Sequence, residues 1–346
     1  MLVVLIAMLT AGVVLAQRSA VPELRSVPAA RADARVDSAV TDADLAELGR
    51  TVEHAVSYVE GLFERKFVVL PKLVLFGTTG SFSEGLAQLF DYSAGDVTLV
   101  SASYGGVYDR TTSTIAVNLQ AIGPTERAAI FEHELTHYMM REISAGRDLP
   151  AWFDEGVATL VQRHAEGASR WTEEDALMGH AIAASGRVSL GQLESVAGWH
   201  ATYPRFGQAL YTFAENAASQ VRTRLGWPGV LGVLGAVAAG RPFADAYREA
   251  SGESVSDLAE RIRQDSTPRL ISRRLPSGDA QWTLFSGKPL ADEKVTIAGN
   301  TTYAVSFTVK TDDLGIYRGS FGTTAPPGLY LVSASGARVE LATGRP

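Results

Sequence analysis

The texture of the chain changes at Pro268, and that break constrains its fold more than any other feature. From Thr41 to Phe63 apolar residues recur mostly at spacings of three and four, and from 172 to 265 everything reads as helix joined by short turns marked by Gly or Pro. Such spacing is the mark of helices with one buried face. Leu45, Leu48, Val52, Ala55, Val56, Val59 and Phe63 form the first such series, with Thr41 as its N-cap. Three runs in this half read instead as strands: Lys66–Phe76, edged by Pro71, residues 97–101 and residues 114–119. Residues 82–90 read as a short helix. Pro124 opens a helix that continues through Tyr138, a polar break covers 144–150, and a second helix runs from Trp152 to His164. After Pro268 come short alternating runs such as WTLF, KVTI and YAVSFTV, separated by SGD, AGN, TDDLG and PPG. A period of two cut by turn residues predicts an antiparallel β domain. The expectation is an α+β chain with a mixed, mostly helical domain at 41–267 and a small β-sandwich at 268–346. Residues 17–40 mix Ala, Pro, Arg and Ser without a period and read as a linker.

Composition removes several classes of function. Thirty-one basic residues stand against 38 acidic ones, a net charge of −7, so nucleic acid is not an expected partner. There is no cysteine, which excludes disulfides, thiolate nucleophiles and cysteine-ligated metals. Any metal must be held by His, Asp or Glu. Residues 2–16 (LVVLIAMLTAGVVLA) are almost unbroken apolar sequence, short of the roughly 20 residues that span a bilayer. Residues 1–16 fit a signal peptide, with Val14-Leu15-Ala16 offering small residues for cleavage before Gln17. If it is not cleaved, the segment is a membrane tether. Either way the rest of the chain is expected outside the cytoplasm.

The chemistry concentrates in His133-Glu134-Leu135-Thr136-His137, an H-E-x-x-H inside a predicted helix. Residues i and i+4 lie about 40° apart around a helix and one turn apart along it. Both imidazoles can therefore reach one Zn2+ from one face, and Glu134 can sit beside the metal and take a proton from a water there. A third protein ligand is needed, and no His occurs between 138 and 150. Glu155, on the second helix, is the candidate. A chain reversal at 144–150 would return it over the two histidines. Asp154 is either a partner that orients a ligand histidine or a carboxylate favoured at a helix start.

HELTH followed by Pro150-Ala151-Trp152-Phe153-Asp154-Glu155-Gly156-Val157-Ala158 resembles the gluzincin metallopeptidases. It is similar in particular to the peptidase MA-like domains of exported bacterial proteins. The M1 aminopeptidases share this ligand plan with one more residue in the spacer. The resemblance covers roughly 41–265 and extends to residues 206–214 and to Gly240, Pro242 and Ala246. It implies a zincin-like fold, with His133, His137 and Glu155 as zinc ligands, Glu134 as general base and a peptide or protein as substrate. The G-x-M-E-N segment by which M1 enzymes anchor a substrate amine does not occur. Members of the family often place a tyrosine before the helix that starts here near residue 207, as an oxyanion donor. The matching position is Phe206, and Tyr203 lies three residues earlier, either as that donor or as a packing residue.

Residues 287–297, 311–317 and 326–332 resemble the carboxypeptidase regulatory-like, transthyretin-type β-sandwich. No histidine lies in this part, so no second metal site is expected there, and a spacer or adhesion role is. Two functions compete: an exported zinc peptidase, favoured by the complete ligand and base set, and an exported binding or scaffolding protein with a vestigial protease fold.

Overall fold

The computed structural model describes residues 23–164, 173–265, 267–274, 280–288, 290–298, 304–321, 330–334 and 337–340. The apolar run 2–16 and its cleavage point lie outside them. Among the described residues, no helix is long and apolar enough to cross a membrane. The protein is a mixed α+β molecule with small sheets. Its contacts divide it into two compact units, Met1–Ser57 with Val69–Phe131, and Tyr58–Val68 with Glu132–Pro346.

The first unit is built on a five-stranded sheet. Its strands are β1 (Arg25–Ser26), β2 (Asp33–Val36), β3 (Lys72–Phe76), β4 (Gly106–Asp109) and β5 (Thr114–Asn118), in the order β1-β2-β3-β5-β4. β2, β3 and β5 are parallel, with Asp33 opposite Lys72 and Lys72 opposite Thr114, while β1 and β4 are antiparallel edges. Helix α1 (Asp42–Leu62) begins one residue after its expected cap; its part in this unit, up to Ser57, buries Leu48, Val52, Ala55 and Val56. Helices α2 (Thr79–Leu89) and α3 (Ala94–Ser103) contribute Phe82, Leu86, Phe90 and Val100 to a cluster with Val74, Phe76 and Ala116. A Cβ on Gly85 would lie 2.2 Å from the Phe76 ring, so only glycine lets α2 come this close to β3.

Three expectations are corrected in this region. Residues 33–36 are a strand, not linker. The run is only four residues long, too short for its alternation of exposed and buried side chains to show as a period. The buried Asp37 carboxylate then accepts the N–H groups of Ala39 and Gly77, at 3.0 and 3.1 Å, which ties β2 to the end of β3. Residues 97–101 are helix, not strand. Ser93 caps α3 by accepting the N–H of Asp96 at 3.3 Å, and the Asp96 carboxylate sits in the positive first turn. The Lys66–Phe76 run is a strand only from Lys72, because the N–H groups of Phe67 and Val68 donate to carboxylates, Glu60 at 3.0 Å and Glu142 at 2.9 Å. Pro71 has no N–H to donate.

In the second unit, α8 (Ala209–Ala238) is a 30-residue helix interrupted at Gly226 (φ 66°, ψ 172°). Helices α5 (Ala151–His164), α6 (Glu173–Ser185) and α9 (Phe243–Ser251) pack against it. Glycines set two of these contacts: a Cβ on Gly156 of α5 would fall 2.3 Å from the Ala214 carbonyl oxygen, and one on Gly179 of α6 would fall 2.3 Å from Thr212 Oγ1. Helix α7 (Val196–Phe206) is capped by Ser195, which accepts the Gly198 N–H at 3.1 Å. Helix α10 (Val255–Gln264) starts with a reciprocal Ser254–Asp257 capping box.

The β region follows as two antiparallel sheets. One has the order β10-β7-β6, from β6 (Arg269–Arg274), β7 (Ala280–Phe285) and β10 (Ile316–Phe321). The other has the order β12-β11-β8-β9, from β8 (Asp292–Ala298), β9 (Ala304–Lys310), β11 (Tyr330–Ser333) and β12 (Arg338–Glu340). They share a core of Leu270, Trp282, Leu284, Val295, Val309 and Ala337. A second cluster joins Leu177 and Ala181 of α6 to Phe285, Leu314 and Ile316, and Arg318 pairs with Glu174 at 2.6 Å. The β region therefore rests on the helical part through an apolar seam.

Candidate metal centre

Helix α4 (Arg127–Ile143) carries the H-E-x-x-H segment. Phe131, Leu135 and Met139 bury one side of it, and His133 and His137 lie one turn apart on another. Their Nε2 atoms are 3.2 Å apart. Helix α5 supplies the carboxylates. Its first N–H groups are held from outside the helix, Ala151 donating to Glu194 O at 3.2 Å and Trp152 to Leu193 O at 2.9 Å. Trp152 and Phe153 bury their rings against Phe243, with centroids 5.8 and 4.7 Å away. With those two residues committed to the core, Asp154 and Glu155 face the histidines.

Glu155 Oε2 lies 3.5 Å from His133 Nε2 and 3.6 Å from His137 Nε2. One donor atom from each of His133, His137 and Glu155 falls within a cluster 4.8 Å across, and such a group could hold a metal ion. Two imidazole nitrogens and one carboxylate oxygen are the donor chemistry of an open three-ligand zinc site. Asp154 faces the back of the same ring, its Oδ1 3.0 Å from His137 Nδ1. That contact places the proton on Nδ1 and leaves Nε2 free as a ligand. His133 Nδ1 has no hydrogen-bond partner among the described residues.

The electrostatics agree with the geometry. Burial works to lower the affinity of His137 for a proton, but Asp154 and Glu155 outweigh it and hold the pKa well above the ordinary histidine value. For Glu155, burial pushes upward, and the facing histidines prevail and hold it well below the carboxylate range. A site that favours a proton on an imidazole between two carboxylates also favours a divalent cation there. Glu134 is buried, and desolvation raises its pKa against the opposing pull of His133 and His137. A carboxyl adjusted in this way is suited to taking and returning a proton.

Tyr203 is buried in an aromatic group that borders this cluster. It packs edge-on against Tyr211 with centroids 6.0 Å apart, and its hydroxyl accepts from Gln208 Nε2 at 3.5 Å. Tyr211 in turn lies 6.1 Å from the His133 ring and 5.0 Å from Trp199. The helical pattern puts Tyr211 in the core, which is where it is, yet the same placement sets it against a candidate ligand. No spacing signal marks that contact, because it depends on which side of α8 turns toward α4. The remaining described histidines, His54, His180 and His200, do not join the cluster. No protein-family model matches the chain, and no curated protein is similar enough to it to stand as a relative.

Proposed function

We propose that this protein is a zinc metallopeptidase of the gluzincin type, with a zincin-like fold, hydrolysing peptide bonds outside the cytoplasm. One observation carries the reading: the donor atoms of His133, His137 and Glu155 converge within 4.8 Å. When bound, zinc supplies Lewis-acid polarisation of the attacking water and of the scissile carbonyl. Glu134 takes the proton of that water and passes it to the departing amine, a role that needs a carboxyl able to hold a proton between the two steps. Asp154 fixes the His137 tautomer. Tyr203 is the proposed phenolic donor to the oxyanion. The location outside the cytoplasm rests on the apolar run at 2–16.

Two variants and a chelator test the reading. The purified protein should contain one zinc per chain and cleave casein or a peptide library, and a chelator should abolish cleavage. Glu134→Gln should keep the zinc and lose turnover, since an amide cannot accept the proton. Loss of metal in that variant would show Glu134 to be a ligand. Tyr203→Phe should lower turnover by about a hundredfold with metal content unchanged, and unaltered activity would remove Tyr203 from the mechanism. A folded protein that binds no zinc would overturn the proposal as a whole.

A further inference from the structure

Beside the candidate centre, two side-chain atoms are buried and have no hydrogen-bond partner among the described residues: the indole Nε1 of Trp199 and Oε1 of Gln208. The first is a donor and the second an acceptor. A buried polar group left unpaired is costly, and in a folded protein it needs a reason. Helical spacing sets where these two stand. Trp199 and Tyr203 lie four residues apart on α7, and Gln208 and Tyr211 three apart where α8 begins, so each pair shares a face. The two pairs meet at Tyr211. Its ring is 5.0 Å from that of Trp199 and 6.0 Å from that of Tyr203, whose hydroxyl accepts from Gln208 Nε2 at 3.5 Å. Tyr211 also lies 6.1 Å from the His133 ring. The unpaired donor and acceptor thus belong to one aromatic group, and that group borders a candidate metal ligand.

The chemistry of the pair indicates what it would hold. An extended residue presents its own N–H and C=O toward the same side. One donor and one acceptor complete them without reading a side chain, and neither group carries charge, as suits a main-chain amide. Both atoms are closed off from solvent, so a peptide reaches them only when α7 lifts. That helix is lightly fastened: of its eleven residues, Trp199 and Tyr203 alone are buried. It ends at Gly207 (φ 53°, ψ −133°), where an added Cβ would meet nothing within 4 Å, so the turn into α8 has room to rotate.

We propose that Trp199 and Gln208 hold the main chain of an extended peptide substrate, the indole N–H donating to a carbonyl oxygen and Gln208 Oε1 accepting an N–H. Their role rests on the peptidase reading of the metal centre. In the zinc-loaded full-length protein, with a casein-derived peptide that the parent cleaves, Trp199→Phe and Gln208→Leu should each raise KM roughly tenfold and leave kcat and zinc content unchanged. Gln208 is only half-buried, so its variant carries the test even where Trp199→Phe fails to fold. An N-methyl scan of the peptide separates recognition from packing. One methylated amide should raise KM about tenfold for the parent and have little effect on Gln208→Leu, which has already lost the acceptor. Equal penalties in parent and Gln208→Leu at every position would overturn the anchoring role and leave the peptidase standing. So would variants that lose thermal stability but keep the parental KM. A zinc-loaded parent that cleaves no peptide would overturn the peptidase reading, and the anchoring role with it.

Discussion

On a helix, neighbouring side chains point about 100° apart, yet Asp154 and Glu155 both reach the histidine pair. They do so on different atoms: Glu155 approaches the two Nε2 atoms, and Asp154 meets Nδ1 of His137. In a metal-bound site this division would separate coordination from orientation. Asp154→Asn should keep the fold but lower metal affinity 10- to 100-fold, measured by competition with a chromogenic chelator. An unchanged affinity would leave Asp154 with a packing role only. The grouping of His133, His137 and Glu155 is legible in the sequence, since helical spacing fixes the first two and the short break at 144–150 returns the third. The two roles open to Asp154 cannot be separated by its position at the helix start. The ring contact between Tyr211 and His133 cannot be read at all, because it follows from the rotation of α8.

At the scale of elements, α8 is the surface against which α5 and α6 are set, and glycine fixes both distances. Gly156 follows the candidate ligand Glu155 directly. Its missing Cβ would lie 2.3 and 2.7 Å from the Ala214 carbonyl group and 3.0 Å from Ala218 Cβ, and backbone atoms cannot swing aside. Gly156→Val should cost about 1–3 kcal/mol or more in urea unfolding. It should also weaken metal binding, because the displaced α5 carries Glu155 with it. Full stability in Gly156→Val would show that the interface has slack. The long helices are legible because their apolar period repeats over many turns. The short elements are not. Two to four residues in β1, β2 and β4 give no period, and in α3 the Ser93 cap outweighs the β-branched residues that suggest a strand. Carboxylates also hold residues 67 and 68 of the 66–76 run out of the strand, which starts only at Lys72, through contacts that only the folded chain makes.

The whole molecule adds the seam between α6 and the β region. His180 is buried there, its ring edge-on to Phe285 at 5.2 Å, its Nδ1 3.8 Å from Asp265, and its Nε2 without a partner among the described residues. Burial, and secondarily the Arg269 guanidinium, lower its pKa below 6.5, with Asp265 opposing. The unfolded chain therefore binds this proton at higher pH than the folded one. The stabilisation is complete above about pH 6.5 and is lost as the pH falls through the lowered folded value. In metal-free protein, His180→Leu should flatten the decline in unfolding free energy between pH 7.5 and 5 relative to the parent. Parallel curves for the two proteins would place His180 outside the acid response. The texture change at Pro268 marks where strands begin, but it is silent about the apolar stripe on α6 that those strands cover.

That stripe has a consequence for how the chain is made. Leu177 and Ala181 leave the ribosome about a hundred residues before Phe285, Leu314 and Ile316, which bury them. At roughly 5–20 residues per second, their cover arrives on the order of ten seconds later. During that interval the nascent chain carries an adhesive helix with nothing of its own to close it. A chaperone that binds short apolar helices would have its natural window there, and a chain cut off just after Pro268 would keep that stripe uncovered.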